Sequence, residues 1–450
     1  MTAPARTAAY HAVRAITAGS EDLPFALAHS RRSLPDERDR ALVAEIVTGT
    51  MRWLRSLDYL IEHFAARPAG KLDPEVLAIL RLSTYQLLHL DRVPASAVVD
   101  DAVDLTRAAR KPSASGFVNA VLRSLLRQRN KLPLPPRPPA PDRAAQLAYL
   151  GITHSHPEWL VSRWLDRHGF DAAEAWVQFN NATPALTVRV NTLRATVEEA
   201  IATLAADGVE TERTRFAPDG LVVTEGNPLR RPQDGLVFVQ DEASQLVPLI
   251  VGAQPGERVL DLCASPGGKT VALAAAMRDQ GTIVACDVRP RRIALLEETI
   301  QASGTTCVSI QRVPSSGPLP FDAPFDRVLV DAPCSGLGTV RRDPDIRWRR
   351  REDDLATFAA QQTALLDRAA ACVRADGRLV YATCSSEPEE NEAVIERFLA
   401  AHEDWTLVDL RRAALPGHVQ VLVDDRGMFR TLPFRDGLEA FFGAALGRRR

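Results

Sequence analysis

Apolar residues in the first part of the chain recur at helical spacing. Asp73 and Pro74 supply an N-cap and a first-turn proline, and the apolar residues that follow stand three or four positions apart. Residues 117–126 carry a second apolar stripe of the same period. The pattern predicts an all-α domain over residues 1–131.

A proline-rich segment ends this helical pattern. The sequence LPLPPRPPAP, residues 132–141, excludes a helix or a central strand because proline fixes φ and lacks a backbone donor. We expect a stiff, extended linker here. Residues 142–240 then mix helical patterns, such as 196–206, with strand-like ones, such as 186–191, and predict a small α+β domain.

Strand-like apolar runs alternate with helical or loop segments in the last part of the chain. This alternation is typical of a parallel sheet with helices on both faces, so residues 241–450 are predicted to form a Rossmann-like α/β domain. The runs are residues 258–262, 282–286, 306–310, 326–330 and 378–382.

Composition narrows the class of protein. The longest apolar runs fall short of a membrane span, and the N-terminus lacks the order of a signal peptide, so we expect a cytoplasmic protein that contacts no membrane. The six cysteines form no CxxC pair and the histidines show no metal-ligand spacing, so no metal is expected. The net charge of −2 excludes a uniformly basic nucleic-acid binder.

The run RVLDLCASPGGKT, residues 258–270, reads as a strand, a tight turn and the start of a helix. Its glycines would let backbone N–H groups approach a ligand closely, which suits a nucleotide-like cofactor. A phosphate-binding loop would need a glycine where this chain has Cys263. Asp287 ends the next strand, where a carboxylate can accept hydrogen bonds from ribose hydroxyls, although an acid there can also serve only to cap the helix at Pro290.

Two later strands end in loops that carry a cysteine, Cys334 in DAPCSG and Cys384 in ATCSS. Loops at the carboxyl ends of strands face the ligand crevice of an open α/β sheet, so we expect both thiols above the cofactor. For each cysteine alone, a buried structural role is the alternative. A thiolate beside a methyl donor suits a pyrimidine, whose carbon 5 is a poor nucleophile until a group adds at carbon 6.

These motifs resemble those of a known family. SPGGKT, Asp287, DAPCSG and ATCS, with VQDEASQL (residues 239–246) and RRDPDIRW (residues 341–348), resemble the Nop/Sun family of RNA cytosine-5 methyltransferases, in particular its bacterial 16S ribosomal RNA members of the Sun/Fmu type. RDRALVAEIVTGTMRW and GFVNAVLR resemble a NusB-type RNA-binding module.

The resemblance implies a cofactor and a partner. The cofactor would be S-adenosylmethionine (SAM), and the substrate one cytosine of 16S ribosomal RNA, in free RNA or in an early assembly intermediate of the small subunit. The protein would act as a monomer, and residues 142–240 would bind RNA or connect the other domains.

The resemblance also implies roles for single residues. Cys384 would attack carbon 6, Cys334 would assist release of the methylated base, and Asp331 would hold or protonate the pyrimidine edge close to the cofactor. Reversed roles of the two cysteines stay open. Asp287 would hold the SAM ribose, Arg292 would be a further cofactor contact, and the amino-acid end of SAM would lie against Cys263, Ala264, Ser265, Pro266, Gly267, Gly268 and Lys269.

The chain also departs from the family pattern. The stretch VSIQRVPSS, residues 308–316, lacks the acidic residue expected near adenine, which leaves adenine recognition open. Two alternatives therefore stand beside the enzyme: a non-catalytic RNA-binding assembly factor with a degenerate methyltransferase domain, and a DNA cytosine methyltransferase. The second is disfavoured because Cys334 is followed by Ser335 and not by glutamine.

An arginine-rich cluster follows DAPCSG and offers cations for phosphates and a ring for stacking. The alternative is a solvated helix start. The predicted RNA contacts are Arg341, Arg342, Arg347, Trp348 and Arg349, and a second candidate surface comprises Arg110, Lys111, Arg123, Arg127 and Arg129.

Overall fold

The structure is a computed structural model that describes residues 3–229 and 235–449, and these divide into two compact units. The first unit comprises the described residues up to Thr183 together with Val340–Glu352, and the second comprises Pro184–Thr339 and the described residues from Asp353 onward. In these two described ranges, no helix is both long and apolar enough to cross a membrane.

The first unit is helical, as predicted. A π-helical turn, Tyr149–Thr153, separates its eighth and ninth helices. The helices are α1 (Pro4–Thr17), α2 (Leu23–Arg32), α3 (Glu37–Arg52), α4 (Leu54–Ala65), α5 (Pro74–His89), α6 (Ala95–Ala108), α7 (Ser115–Arg127), α8 (Arg143–Ala148), α9 (Glu158–His168) and α10 (Phe170–Asn181).

Helix α5 forms the centre of this unit. It begins at Pro74, as the sequence predicts, and it is buried along almost its whole length because α1, α3, α4, α6 and α7 pack around it. Gly49 of α3 lies against Tyr85 of α5, where an added Cβ would stand 1.9 Å from the ring. Glycine at this position therefore permits the close approach of the two helices.

The proline-rich segment contains no helix or strand, as expected, but it lies inside the first unit. Leu132 and Leu134 pack against the helical core, and the carbonyl of Pro135 accepts a hydrogen bond from Thr153 Oγ1 at 2.6 Å. Helices α8 to α10, which the sequence assigns to the domain 142–240, therefore cluster with the first unit. Side-chain packing across the linker, which proline content does not reveal, produces this difference.

The second unit begins with a small antiparallel sheet. Its order is β2-β3-β1-β4, and the helix between β1 and β2 starts with a capping box of Thr196 and Glu199. The elements are β1 (Leu186–Val190), α11 (Val197–Ala206), β2 (Glu210–Arg213), β3 (Gly220–Glu225) and β4 (Val237–Val239).

An eight-stranded sheet forms the rest of the second unit. Its first elements are α12 (Glu242–Val251), β5 (Arg258–Asp261), α13 (Gly268–Ala276), β6 (Thr282–Asp287), α14 (Pro290–Ser303), β7 (Val308–Arg312) and β8 (Phe325–Asp331). The chain then contributes α15 (Ile346–Arg349) to the first unit. The last elements are α16 (Asp354–Ala370), β9 (Val373–Thr383), α17 (Glu392–Ala401), β10 (Trp405–Val408), α18 (Gly417–Gln420), β11 (Phe429–Thr431), α19 (Pro433–Asp436) and β12 (Phe441–Arg448).

The strand order is β10-β12-β9-β8-β5-β6-β7, with β11 paired to β12. Strands β5 to β9 are parallel, which confirms the Rossmann-like prediction, whereas β12 is antiparallel to β9 and to β10. Strand β5 pairs with β6 on one side and β8 on the other, so the chain direction across the sheet reverses there. Such a switch point opens a crevice at the carboxyl ends of the strands.

Candidate active site

The two loop cysteines meet at this edge of the sheet. Cys334 follows β8 and Cys384 follows β9, and their Sγ atoms lie 3.3 Å apart. Both residues are partly exposed, so neither is a core thiol. The location predicted for the pair is therefore the one in the structure.

The backbone of neighbouring strands holds these loops together. Asp331 of β8 pairs in register with Ala382 of β9, so the residues that follow emerge side by side. Gly338 N–H donates to the Cys384 carbonyl at 2.9 Å. An added Cβ at Gly338 would stand 2.0 Å from the Ala440 carbonyl, so this close approach depends on glycine.

The hydrogen bond between the two sulfur atoms changes the pKa of the Cys334 thiol. The hydrogen bond to Cys384, followed by burial, raises the pKa of the Cys334 thiol well above its usual value, and the charge of Glu390 contributes in the same direction. This hydrogen bond, burial and the nearby charge therefore disfavour the thiolate form of Cys334. A thiol held in this way suits a proton-transfer role more than a nucleophilic one.

Asp331 is paired with a lysine of the glycine-rich loop. Lys269 Nζ lies 2.7 Å from Asp331 Oδ2, and both side chains are largely buried. Burial lowers the pKa of Lys269, but the charge of Asp331 and its hydrogen bond outweigh burial, so the pKa is raised. The Lys269 side chain thus orients Asp331.

The glycine-rich loop leads into α13 with left-handed backbone at Gly267, where φ is +109°. An added Cβ at Gly267 would stand 3.0 Å from Leu296 and from Thr299 of α14. The N-cap residue of α13 is Gly267, which has no side chain to cap the helix, so its first-turn N–H groups can face a ligand.

Asp287, at the end of β6, is 3% exposed and has one carboxylate oxygen left for a ligand. Its Oδ1 accepts hydrogen bonds from the N–H groups of Val288 and Arg289 at 2.8 and 3.1 Å. Its Oδ2 lies 3.6 Å from Arg292 Nη1 and has no hydrogen bond within the described part of the chain. The remaining acceptor fits a ribose hydroxyl.

Three functional candidates were missed by the sequence reasoning. Asp261, at the end of β5, accepts a hydrogen bond from Thr270 Oγ1 at 2.7 Å, and burial raises its pKa to about 7. Glu390 bonds to both cysteine loops. Both acids stand within or next to the quoted motifs, so their position could have suggested a role.

Arg189 of β1 is the third, and nothing in its sequence surroundings indicates a role. Its guanidinium, 2% exposed, donates to Gln240 Oε1 at 2.8 Å and to the Gly268 carbonyl at 3.1 Å. The small sheet therefore supports the glycine-rich loop.

The end of β7 carries Arg312, within the stretch 308–316 that has no acidic residue. Arg312 Nε donates to the Val288 carbonyl at 3.1 Å. The loop beyond is held by Arg368 of α16, whose guanidinium donates to the carbonyls of Pro314, Ser315 and Gly317.

The structure corrects the RNA-contact prediction for Arg347. This residue is 0% exposed, and its guanidinium donates to the carbonyl of Ser155 at 3.0 Å and to Asn181 Oδ1 at 3.1 Å. Burial without a carboxylate partner lowers its pKa well below the usual value. Its donors serve the packing of the first unit, which is incompatible with a phosphate contact.

The other members of the cluster also have internal partners. Trp348 Nε1 donates to the Met51 carbonyl at 2.6 Å, and Arg349 pairs with the buried Asp345 at 2.8 Å. Arg341 donates to the Thr183 carbonyl at 3.1 Å, and Arg342 also has an internal partner. RNA contacts by these four residues stay a prediction.

Family models match three parts of the chain. A 16S rRNA methyltransferase RsmB/F model matches residues 248–447, a NusB family model matches residues 3–127, and a ferredoxin-like domain model of RsmF/B-like methyltransferases matches residues 156–230. The resemblances to the methyltransferase and to NusB are thereby confirmed. The ferredoxin-like match lies inside the predicted α+β segment 142–240.

Similar proteins match over most of the chain. A probable ribosomal RNA small subunit methyltransferase B of Bacillus subtilis is 35% identical and covers 90% of both chains. A protein of the same name from Synechocystis sp. is 37% identical and covers 91% of both chains. The crystal structure of PH0851 aligns with a TM-score of 0.77 at 29% identity and covers 99% of both chains.

Proposed function

Since this chain belongs to the RsmB/F family of 16S rRNA methyltransferases, we propose that it methylates carbon 5 of a cytosine in 16S ribosomal RNA through a covalent bond from Cys384 to carbon 6. The observation that carries the proposal is the pair of thiols 3.3 Å apart at the ends of β8 and β9. A lone nucleophile would need one cysteine, whereas formation and release of an adduct use two groups.

The cofactor of this methyltransferase family is SAM, which supplies an electrophilic methyl group when it is bound. The described residues fit it. Asp287 Oδ2 would accept from the ribose, and the uncapped N–H groups at the start of α13 would hold the carboxylate of its amino-acid end.

The thiolate of Cys384 adds to carbon 6 of the cytosine and places electron density on carbon 5. Asp331, oriented by Lys269, faces the pyrimidine edge and stabilises the adduct by hydrogen bonding. After methylation, Cys334 releases its thiol proton to solvent and, as the thiolate, accepts the proton from carbon 5. The electrons of that C–H bond restore the double bond between carbons 5 and 6, and Cys384 leaves carbon 6 as a thiolate. The base must leave its stack to reach the crevice, at a cost of about a few kcal/mol.

Transfer of labelled methyl groups from SAM to 16S ribosomal RNA tests the proposal. Cys384→Ala is expected to abolish transfer, while Cys334→Ala is expected to accumulate a protein–RNA adduct that survives denaturing electrophoresis. Cys307→Ala is the control, because Cys307 precedes β7 at the opposite edge of the sheet and should leave transfer unchanged. Turnover retained in Cys384→Ala would contradict the assignment of the nucleophile.

Bisulfite sequencing of the modified RNA identifies the cytosine, and free RNA is compared with a partly assembled small subunit as substrate. Labelled methyl groups at a position other than carbon 5 of cytosine would overturn the proposed chemistry.

A non-catalytic assembly factor is the second candidate, and Arg312 at the end of β7, where no acid stands, favours it. Calorimetric titration with SAM separates the two functions. Absence of binding would favour the assembly factor, whereas binding with release of S-adenosylhomocysteine in the presence of RNA would favour the enzyme.

A further inference from the structure

A buried carboxylate follows the second cysteine loop. Glu390 closes the 3-10 turn Pro388–Glu390 and is 0% exposed. No lysine, arginine or histidine forms an ion pair with it in the described ranges. A buried carboxylate without a cation needs hydrogen-bond donors to offset the loss of solvent.

The donors to Glu390 come mainly from the two cysteine loops. Oε1 accepts from Ser335 N–H at 2.7 Å and from Gln362 Nε2 at 3.0 Å. Oε2 accepts from Ser335 Oγ and from Ser385 Oγ, each at 2.5 Å. Ser335 follows Cys334 and Ser385 follows Cys384, so one carboxylate binds the residue next to each thiol.

Two further hydrogen bonds stabilise the position of Glu390 and its partners. Gln362 of α16 also donates to the Pro333 carbonyl at 3.0 Å, and Tyr381 Oη donates to the Glu390 carbonyl at 2.6 Å. Hydrogen bonds to an ionised carboxylate are shorter and stronger than neutral ones. Glu390 therefore adds side-chain hydrogen bonds to the strand pairing that already brings the two loops together.

The charge of Glu390 also acts on the thiols. Cys334 is faced by Cys384, Glu390 and Tyr381, none of which is cationic. Cys384 is faced by Lys269, whose ammonium also pairs with Asp331. A negative charge on Cys334 is thus disfavoured by its surroundings.

We propose that Glu390 is a positioning residue that holds the two cysteine loops in register and keeps its carboxylate beside the Cys334 thiol. The meaning of this role for catalysis rests on the function proposed above. The role itself concerns the unliganded protein and can be measured without RNA or SAM.

Two substitutions separate geometry from charge. In Glu390→Gln, the amide oxygen still accepts from the N–H donors, and the amide NH2 group can donate to the serine hydroxyls. The loops therefore keep their place while the charge is lost. Glu390→Ala removes both. Glu396→Gln is the matched control, because Glu396 is an exposed glutamate of α17 that pairs with Arg426.

The readout is alkylation of Cys334 by iodoacetamide as a function of pH, followed by peptide mass spectrometry on the full chain. Only the thiolate reacts, so a lower pKa of Cys334 moves the profile to lower pH. We expect Glu390→Gln to shift the Cys334 midpoint down by about one pH unit with unchanged thermal unfolding, and Glu396→Gln to match wild type. A profile of Glu390→Gln identical to wild type would overturn the proposal.

Turnover gives a second readout where wild type is active. Glu390→Gln is expected to lower kcat about 10- to 100-fold with little change in KM for RNA. If Glu390→Ala does not fold, Ser385→Ala is used in its place. This substitution removes one hydrogen-bond donor to the Glu390 carboxylate and should shift the alkylation profile of Cys334. Should wild type transfer no methyl group, the proposed function fails, while the alkylation profile still decides the role of Glu390.

Discussion

Replacement of Arg189 by methionine tests whether the small sheet supports the cofactor loop. The substitution leaves two acceptors, Gln240 Oε1 and the Gly268 carbonyl, without their donor. An unpaired buried acceptor costs about 1–3 kcal/mol. Part of this is offset, because burial lowers the pKa of Arg189 to about 10 and the uncharged methionine avoids that cost of burying a charge.

The remaining penalty falls on the first turn of α13. If about 1.4 kcal/mol of it is spent on holding the loop ready for SAM, the Kd for SAM rises about tenfold. Calorimetric titration of the full chain with SAM measures this change. The expected Kd in Arg189→Met is therefore about ten times that of wild type.

Arg194→Met is the matched control from the same part of the chain. Arg194 donates to the carbonyls of Ser303 and Ala302, at the end of α14 and away from the loop. It is expected to lower the melting temperature without changing the Kd for SAM. Equal SAM affinity of Arg189→Met and wild type would refute the role given to Arg189, and a weaker affinity in both variants would refute its specificity.

Three further predictions follow from the site and the first unit. A stoichiometric amount of hydrogen peroxide is expected to join Cys334 and Cys384 as a disulfide, with release of two waters per bond, because the sulfurs are already 3.3 Å apart. Peptide mass spectrometry detects the disulfide. A mixture of unlinked sulfinic acids would contradict the geometry. Burial raises the pKa of Asp261 to about 7, so the stability that Asp261 contributes is present below the unfolded pKa near 4 and is lost as pH rises through 7. Asp261→Asn should therefore flatten the dependence of melting temperature on pH between about 4 and 8. An unchanged slope would contradict the shift. Arg347→Met should lower the free energy of unfolding, measured by denaturant titration, by about 2–4 kcal/mol. The slope of RNA affinity against salt concentration, measured by filter binding, should stay that of wild type. A reduced salt slope would restore Arg347 as a phosphate contact.

Local patterns account for the elements and motifs that the sequence predicted correctly. The start of α5 at Pro74 depends on a proline in the first turn and on the spacing of a few residues after it. The parallel strands β5 to β9 appear as short apolar runs because both faces of such a sheet are buried. The loop positions of Cys334 and Cys384 follow from the same strand pattern.

Other features depend on partners far away along the chain. The antiparallel strand β12 was not predicted, because its pairing with β9 and β10 has no local signal. Helices α8 to α10 cluster with the first unit through packing that the proline-rich segment conceals. The division into compact units therefore differs from the predicted boundary at residues 132–141.

The sequence by itself determined the family, the order of the domains and the cysteine loops, since each rests on a short run of residues. Only the tertiary structure decided that Arg347 is an internal donor, that Arg189 donates to the glycine-rich loop, and that Glu390 joins two loops fifty positions apart. The physical reason is that the burial and the hydrogen-bond partners of a charged side chain are set by residues distant in sequence. A single amino-acid sequence does not show which of these residues become neighbours.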